Sequence, residues 1–157
     1  MGNDGQWYFH HPGLHTFDAG KALCRSEGAS LLIVETPFKQ EMIDRLYGNT
    51  SVWLALYDES GSHDYRWMLP DGQTKDFGSY ANWAAKEPNN SNEQCVRNQP
   101  DGTGWFDVYC TLPTEVVCQK PKTGKTAIFV PTIGITSTSG YIRCDFFSVT
   151  RVSLFMM

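Results

Sequence analysis

Glu87-Pro88-Asn89-Asn90 is followed by Glu93, two residues before Cys95, and by Asp107, three residues before Cys110. These side chains offer carboxylate and amide oxygens, with no histidine or thiol among them. Hard oxygen donors of this kind suit Ca²⁺, which takes about 6–8 oxygens in a flexible geometry. A calcium ion held by Glu87, Asn89, Glu93 and Asp107 can keep positions open for paired hydroxyl groups. Phe106, directly before Asp107, is out of place in such a set, because it supplies neither an oxygen nor a donor.

Other chemistries find less support. His10, His11 and His15 are interrupted by Pro12-Gly13, which predicts a surface loop rather than a metal site. His63 sits in a polar stretch without a partner residue nearby. No serine stands in a nucleophile-elbow setting. Glu87 and Glu93 could form a glycosidase acid/base pair, but both are better explained as cation ligands. The expectation is a binding protein, not an enzyme. A net charge of -4 and the absence of a Lys/Arg cluster argue against nucleic acid as a partner. No stretch has the ~18 apolar residues of a membrane span.

The ligands need a scaffold, and the cysteines mark it. Of the five cysteines, Cys24, Cys95, Cys110 and Cys118 fall before residue 121, and Cys144 falls after it. Such a content predicts an oxidising, extracellular setting, although Met1–Gly5 shows no leader-like apolar run. Four cysteines allow three pairings, and spacing alone does not choose among them. The nested pairing, Cys24–Cys118 with Cys95–Cys110, is favoured. It closes one loop around nearly the whole domain and one short loop near the acidic residues. Loop entropy gives about 4–5 kcal/mol for the long bridge and about 3 kcal/mol for the short one.

The elements follow from pattern. Trp7-Tyr8-Phe9 reads as an opening strand. Residues 16–28 read as a helix capped by Thr16 or Asp18 and stopped by Gly28. Leu31–Val34 reads as a buried strand, and Thr36-Pro37 starts a second helix that presents Phe38, Met42, Ile43 and Leu46 on one face. Val52–Leu56, Arg66–Met68, Gln94–Val96 and Val116–Gln119 read as strands. Residues 73–94 read as a long loop anchored by Phe77, Tyr80 and Trp83, and long loops of this kind are commonly functional. Asn-x-Ser sequons stand at Asn49, by a helix end, and at Asn89, where a glycan would cover the acidic residues. The chain divides into residues 5–121 and an extension, 122–157, of uncertain structure.

Taken in order, these residues resemble a C-type lectin-like domain over residues 5–121. The resemblance rests on Trp7-Tyr8-Phe9, Cys24 in the first helix, and Trp53-Leu54-Ala55-Leu56 in the place of the family's core strand. It continues through Trp83 before Glu87-Pro88-Asn89, then Cys95, Trp105-Phe106-Asp107, Cys110 and Cys118. It implies an α+β fold with two helices, small antiparallel sheets and a long calcium-binding loop region. It also implies the nested disulfides and a cis bond before Pro88. Matched position by position, Glu87, Asn89, Glu93 and Asp107 fall on the family's principal calcium site. The Glu-Pro-Asn triplet resembles the type that recognises mannose, fucose and N-acetylglucosamine, so the implied partners are glycans on glycoproteins or microbial surfaces.

Phe106 departs from this pattern, since sugar-binding members commonly carry Asn there. That removes one metal ligand and one sugar contact. It leaves a second expectation open: a lectin-like protein-binding domain with weak or no sugar affinity. The family's auxiliary calcium site is degraded by this match, with Asn90 and Gln94 where carboxylates are expected. Single sites of this type bind weakly, so several copies are expected, with the extension or Cys144 as the means of oligomer formation.

Overall fold

Thr16 and Thr36 start the two helices by the same device. Each has extended backbone, and its hydroxyl accepts a backbone N–H three residues on: Ala19 for Thr16, Lys39 for Thr36. A cap of this kind satisfies one of the orphan N–H groups of the first turn and is worth ~1 kcal/mol. Helix α1 spans Phe17–Ser26, and α2 spans Pro37–Tyr47 with Pro37 in its first turn. The computed structural model describes residues 4–122. Cys144 and the extension from residue 123 onward lie outside the described residues.

The strands, in chain order, are β1 (Gln6–His15), β2 (Ser30–Leu31), β3 (Val52–Tyr57), β4 (Arg66–Met68), β5 (Thr74–Asp76), β6 (Cys95–Gln99), β7 (Gly104–Val108) and β8 (Thr114–Pro121). They form one mixed sheet with the path β1-β8-β3-β4-β5, while β2 adds to β8 and β6 joins β3 to β7. The β3–β8 pairing is parallel, through Val52 and Glu115; the other ladders are antiparallel. The fold is therefore α+β, as expected, with a single branched sheet in place of several small ones.

Three local readings change, and one strand is added. Leu31–Val34 is buried throughout, but only Ser30–Leu31 joins a ladder, and Leu32 makes one bridge to Leu54. The opening strand runs on to His15 across a register shift between His11 and Leu14. The Pro12-Gly13 interruption is thus absorbed as a bulge, and His10, His11 and His15 lie on a strand rather than in a loop. Within residues 73–94, Thr74–Asp76 pairs with β4. Finally, the turn Pro100–Gly102 joins β6 to β7, so Trp105-Phe106-Asp107 is itself a strand.

The core lies between the helices and the sheet. Trp53, Trp67, Trp105, Phe17, Leu32, Ile43, Leu54 and Leu56 are its largest fully buried side chains. Burying an aliphatic side chain of this size stabilises by about 1.5–3 kcal/mol. Cys24–Cys118 ties α1 to β8 and Cys95–Cys110 ties the start of β6 to the residues just after β7, which is the nested pairing. The first closes a loop with a sequence separation of 94 and the second one of 15.

Candidate functional site

Asp107 is the penultimate residue of β7 and pairs with Val96 of β6. Strand alternation sends Trp105 and Asp107 to one face and Phe106 to the other. Trp105 is fully buried, and its indole N–H donates to Gln40 Oε1 of α2 at 2.7 Å. That bond locks the strand to the helix. Phe106 is half-buried, packed against the edge of the core opposite Arg97.

The loop carrying Glu87 is pinned to the same strand. Trp105 N–H donates to Asn82 O at 2.8 Å, and Ala84 N–H donates to Trp105 O at 3.0 Å. This approach requires Gly104. Its φ is +105°, and a Cβ there would lie 2.5 Å from Asn82 O and 3.0 Å from Ala84 N. The pairing brings Glu87 and Asn89 over Asp107. The Glu87–Pro88 peptide bond is cis.

Asp107 is only 2% exposed. Its Oδ1 accepts the Asn89 N–H at 3.2 Å, and its Oδ2 accepts the N–H groups of Asn89 and Asn90, each at 3.2 Å. The Tyr65 hydroxyl donates to Oδ2 from 3.5 Å. Burial, then the charge of Asp107, keeps the Tyr65 hydroxyl protonated far above neutrality. The Asn89 side-chain amide donates to Glu87 Oε1 at 2.8 Å. Glu87 Oε2 is buried and meets no hydrogen-bond donor among the described residues; its neighbour is the Asp107 carboxylate, with which only a protonated Glu87 can bond.

This is an acidic site without a counter-charge. Burial, and then the neighbouring Asp107 carboxylate, pushes the Glu87 carboxyl up from 4.5 to about 7, against the opposing Asn89 hydrogen bond. Glu93 is pushed up by burial and then by Asp107. Among the described residues, no lysine, arginine or histidine pairs with Glu87, Glu93 or Asp107. Also among these residues, no three Asp, Glu, His or Cys side chains stand close enough to form a metal cage unaided. The donor set nevertheless fits a hard cation. It is all oxygen, it holds a buried carboxylate oxygen that meets no donor, and Asp107 raises both Glu87 and Glu93 with no positive partner at hand. Such an ion would need the Asn89 side-chain oxygen and water as further donors.

Residues that the sequence reading passed over brace the loop from below. Tyr65 is one, its ring 4.9 Å from that of Trp83. Asp58, 1% exposed, is another. Its carboxylate accepts the N–H groups of Ser60, Gly61 and His63 and the Ser60 hydroxyl at 2.7–3.1 Å. Burial pushes this carboxyl up, but the hydrogen bonds outweigh burial and hold it below its usual value. The turn so formed packs on the site loop. Asp58 N–H donates to Gln94 O, and the Gln94 side-chain amide donates to Glu59 O, both at 2.9 Å. Gln94 is thus spent on bracing, and Asn90 Oδ1 caps the Asn92 N–H. Asp58-Glu59-Ser60-Gly61 is a turn-forming pattern that could have flagged this support.

The Lectin C-type domain profile matches residues 14–120. Hepatic lectin of Gallus gallus is 32% identical over 120 residues, covering 75% of this chain and 56% of that protein. The chain spans about half the length of the first curated relatives it matches, at 56% and 54%. Among solved structures, the C-type lectin domain of murine dendritic cell inhibitory receptor 2, in complex with N-glycan, superposes with a TM-score of 0.67 at 25% identity. That match covers 78% of this chain and 95% of the other. A Ca²⁺-dependent type II antifreeze protein in its Ca²⁺-free form superposes with a TM-score of 0.65 at 27% identity, covering 76% and 95%.

Proposed function

Since the chain belongs to the C-type lectin domain family, we propose that it binds glycans through calcium held by Glu87, Asn89, Glu93 and Asp107. The preference is for mannose-, fucose- and N-acetylglucosamine-type sugars. The observation that carries this reading is the buried Oε2 of Glu87, which meets no donor and faces the Asp107 carboxylate in a group with no basic partner. Bound there, calcium would neutralise the carboxylates and take two vicinal hydroxyl oxygens of a sugar.

The chain's own residues do the rest. Asp107 holds the Asn89 and Asn90 N–H groups and so fixes the loop. Glu87 accepts from a sugar hydroxyl, and the Asn89 amide donates to it. At present that amide donates to Glu87 itself; a sugar hydroxyl that both donates and accepts inserts into this pair. No bond is made or broken, so the domain is a binding module rather than an enzyme. The two disulfides support an extracellular setting. Glycans on glycoproteins or microbial surfaces are its partners, engaged by several copies at once.

The test is retention on a mannose resin in calcium with release by EDTA. Failure to be retained at several millimolar calcium counts against the reading. A second reading, favoured by Phe106 in the place of an oxygen donor, is a lectin-like domain that binds protein with little or no sugar affinity. A calcium-dependent thermal shift without any signal on a glycan array supports that second reading.

A further inference from the structure

We propose that Asn49 carries an N-linked glycan, and that this glycan projects from the end of the domain opposite the acidic site. Asn49-Thr50-Ser51 satisfies the acceptor pattern, with Thr rather than Pro at the middle position. The structure places it in the turn between α2, which ends at Tyr47, and β3, which begins at Val52. The backbone on either side is held: Gly48 O accepts the Asp101 N–H at 2.9 Å, and Thr50 N–H donates to Tyr47 O at 3.1 Å. Asn49 itself is exposed, and its side-chain amide has no partner among the described residues. It opens onto a cleft of about 490 Å³ lined by Asp44, Arg45, Leu46, Asn49 and Asp101. Leu46, 46% exposed, is otherwise an unexplained apolar side chain on a polar surface. It offers the apolar face of a first N-acetylglucosamine a surface to pack on.

The chemistry is a glycosyl transfer. Asn49 Nδ2 forms a bond to the anomeric carbon of N-acetylglucosamine in a lipid-linked oligosaccharide. The bond from that carbon to the polyprenyl diphosphate breaks, the diphosphate leaves with the electron pair, and the amide proton passes to the transferring enzyme. The two disulfides indicate passage through a compartment where such donors are found.

The β6–β7 hairpin separates the two sites. Its turn, Pro100–Gly102, is bonded through Asp101 to Gly48, next to Asn49. Gln99 and Gly104 pair at that closed end, whereas Asp107 pairs with Val96 three residues further along. At ~3.4 Å per residue this is about 10 Å along the strands. A glycan at Asn49 therefore leaves Glu87 and Asn89 clear. The sequon at Asn89 is the opposite case: the nitrogen a glycan would take is the one that donates to Glu87 Oε1.

The experiment is secretion of the full chain from a eukaryotic cell, then treatment with peptide N-glycosidase F and peptide mass mapping. One mobility step that the enzyme removes is expected, with conversion to Asp at position 49 alone. Asn49→Gln abolishes the step. If that variant is not secreted, Ser51→Ala removes the same acceptor while leaving Asn49 in place, and Ser51→Thr restores occupancy. An unmodified Asn49 in the secreted protein, or a glycan on Asn89, overturns the proposal. The mass result stands whether or not the domain is retained on a sugar resin. Where the wild type is retained, equal retention of Asn49→Gln is expected, and a loss overturns the separation of the two sites.

Discussion

Both carboxylate oxygens of Asp107 accept the backbone N–H of Asn89, each at 3.2 Å. A buried strand residue thus holds the loop whose side chains form the rest of the site. Asp107→Asn keeps the shape but leaves one acceptor oxygen and turns an amide NH₂ toward the N–H groups of Asn89 and Asn90. Hydrogen bonds to a charged group are worth about 1.5–3 kcal/mol, so urea unfolding without calcium should report a loss of that order. On the proposed reading calcium raises the thermal midpoint of the wild type, and the same variant should lose that rise. An unchanged urea midpoint would mean that Asp107 does not hold the loop.

Glu87 sets a pH dependence of definite sign. Its carboxyl is raised from 4.5 to about 7, first by burial and then by Asp107. The folded protein therefore binds this proton more tightly than the unfolded chain does. The contribution to stability is fully present below the unfolded value and is lost as pH rises to about 7. Calcium-free protein should accordingly lose stability across that window, and Glu87→Gln should flatten the loss. Calcium needs the ionised form, so calcium affinity should rise with pH over the same range, with proton release on binding. Calorimetry in buffers of different ionisation enthalpy measures that release. A calcium affinity flat from pH 5 to pH 7 would remove Glu87 from the ligand set.

The cysteines, the helix caps and the acidic residues were legible in the sequence because each acts through its own chemistry. A threonine before a helix caps it, and Glu87, Asn89 and Asp107 have donor oxygens wherever they stand. β5 was not legible, because Thr74-Lys75-Asp76 has no apolar alternation and owes its strand form to β4. Nor was Pro12-Gly13 readable as a bulge, since only the continued pairing with β8 on both sides makes it one. Tyr65 and Asp58 escaped notice for a related reason. Their roles depend on what packs above them: Asp107 for Tyr65, the Gln94 backbone for Asp58. Contacts between segments distant in sequence leave no mark on a single segment's pattern.

Gly104 tests whether the site depends on one close approach of backbone to backbone. Its left-handed φ is strained for any other residue, and a Cβ would lie 2.5 Å from Asn82 O. Gly104→Ala should therefore cost at least about 1–3 kcal/mol in urea unfolding. The larger effect should fall on calcium and sugar binding, because the displaced Asn82–Ala84 segment leads directly to Glu87. Equal losses in Gly104→Ala and in an alanine variant at a buried position far from the site, such as Ile43→Ala, would show that only global stability is at stake.

Phe106 decides between a working lectin and a lectin-like binder of protein. It lies on the opposite face of β7 from Asp107 and packs half-buried against the core edge, opposite Arg97. Phe106→Asn removes that packing and should lower stability, by about 1–3 kcal/mol for a partly buried aromatic. It also adds an amide oxygen and a donor, which reach the ion only if the new side chain turns around the edge of β7 toward Asp107. Calcium affinity depends on ligand number, so a gain of about tenfold, or ~1.4 kcal/mol, is the expected scale if the added oxygen reaches the ion. If the native domain is a lectin, wild-type retention on mannose resin is already measurable and the variant strengthens it. If the variant binds sugar where the wild type shows none, Phe106 has replaced sugar recognition and the glycan-binding reading of the native chain fails.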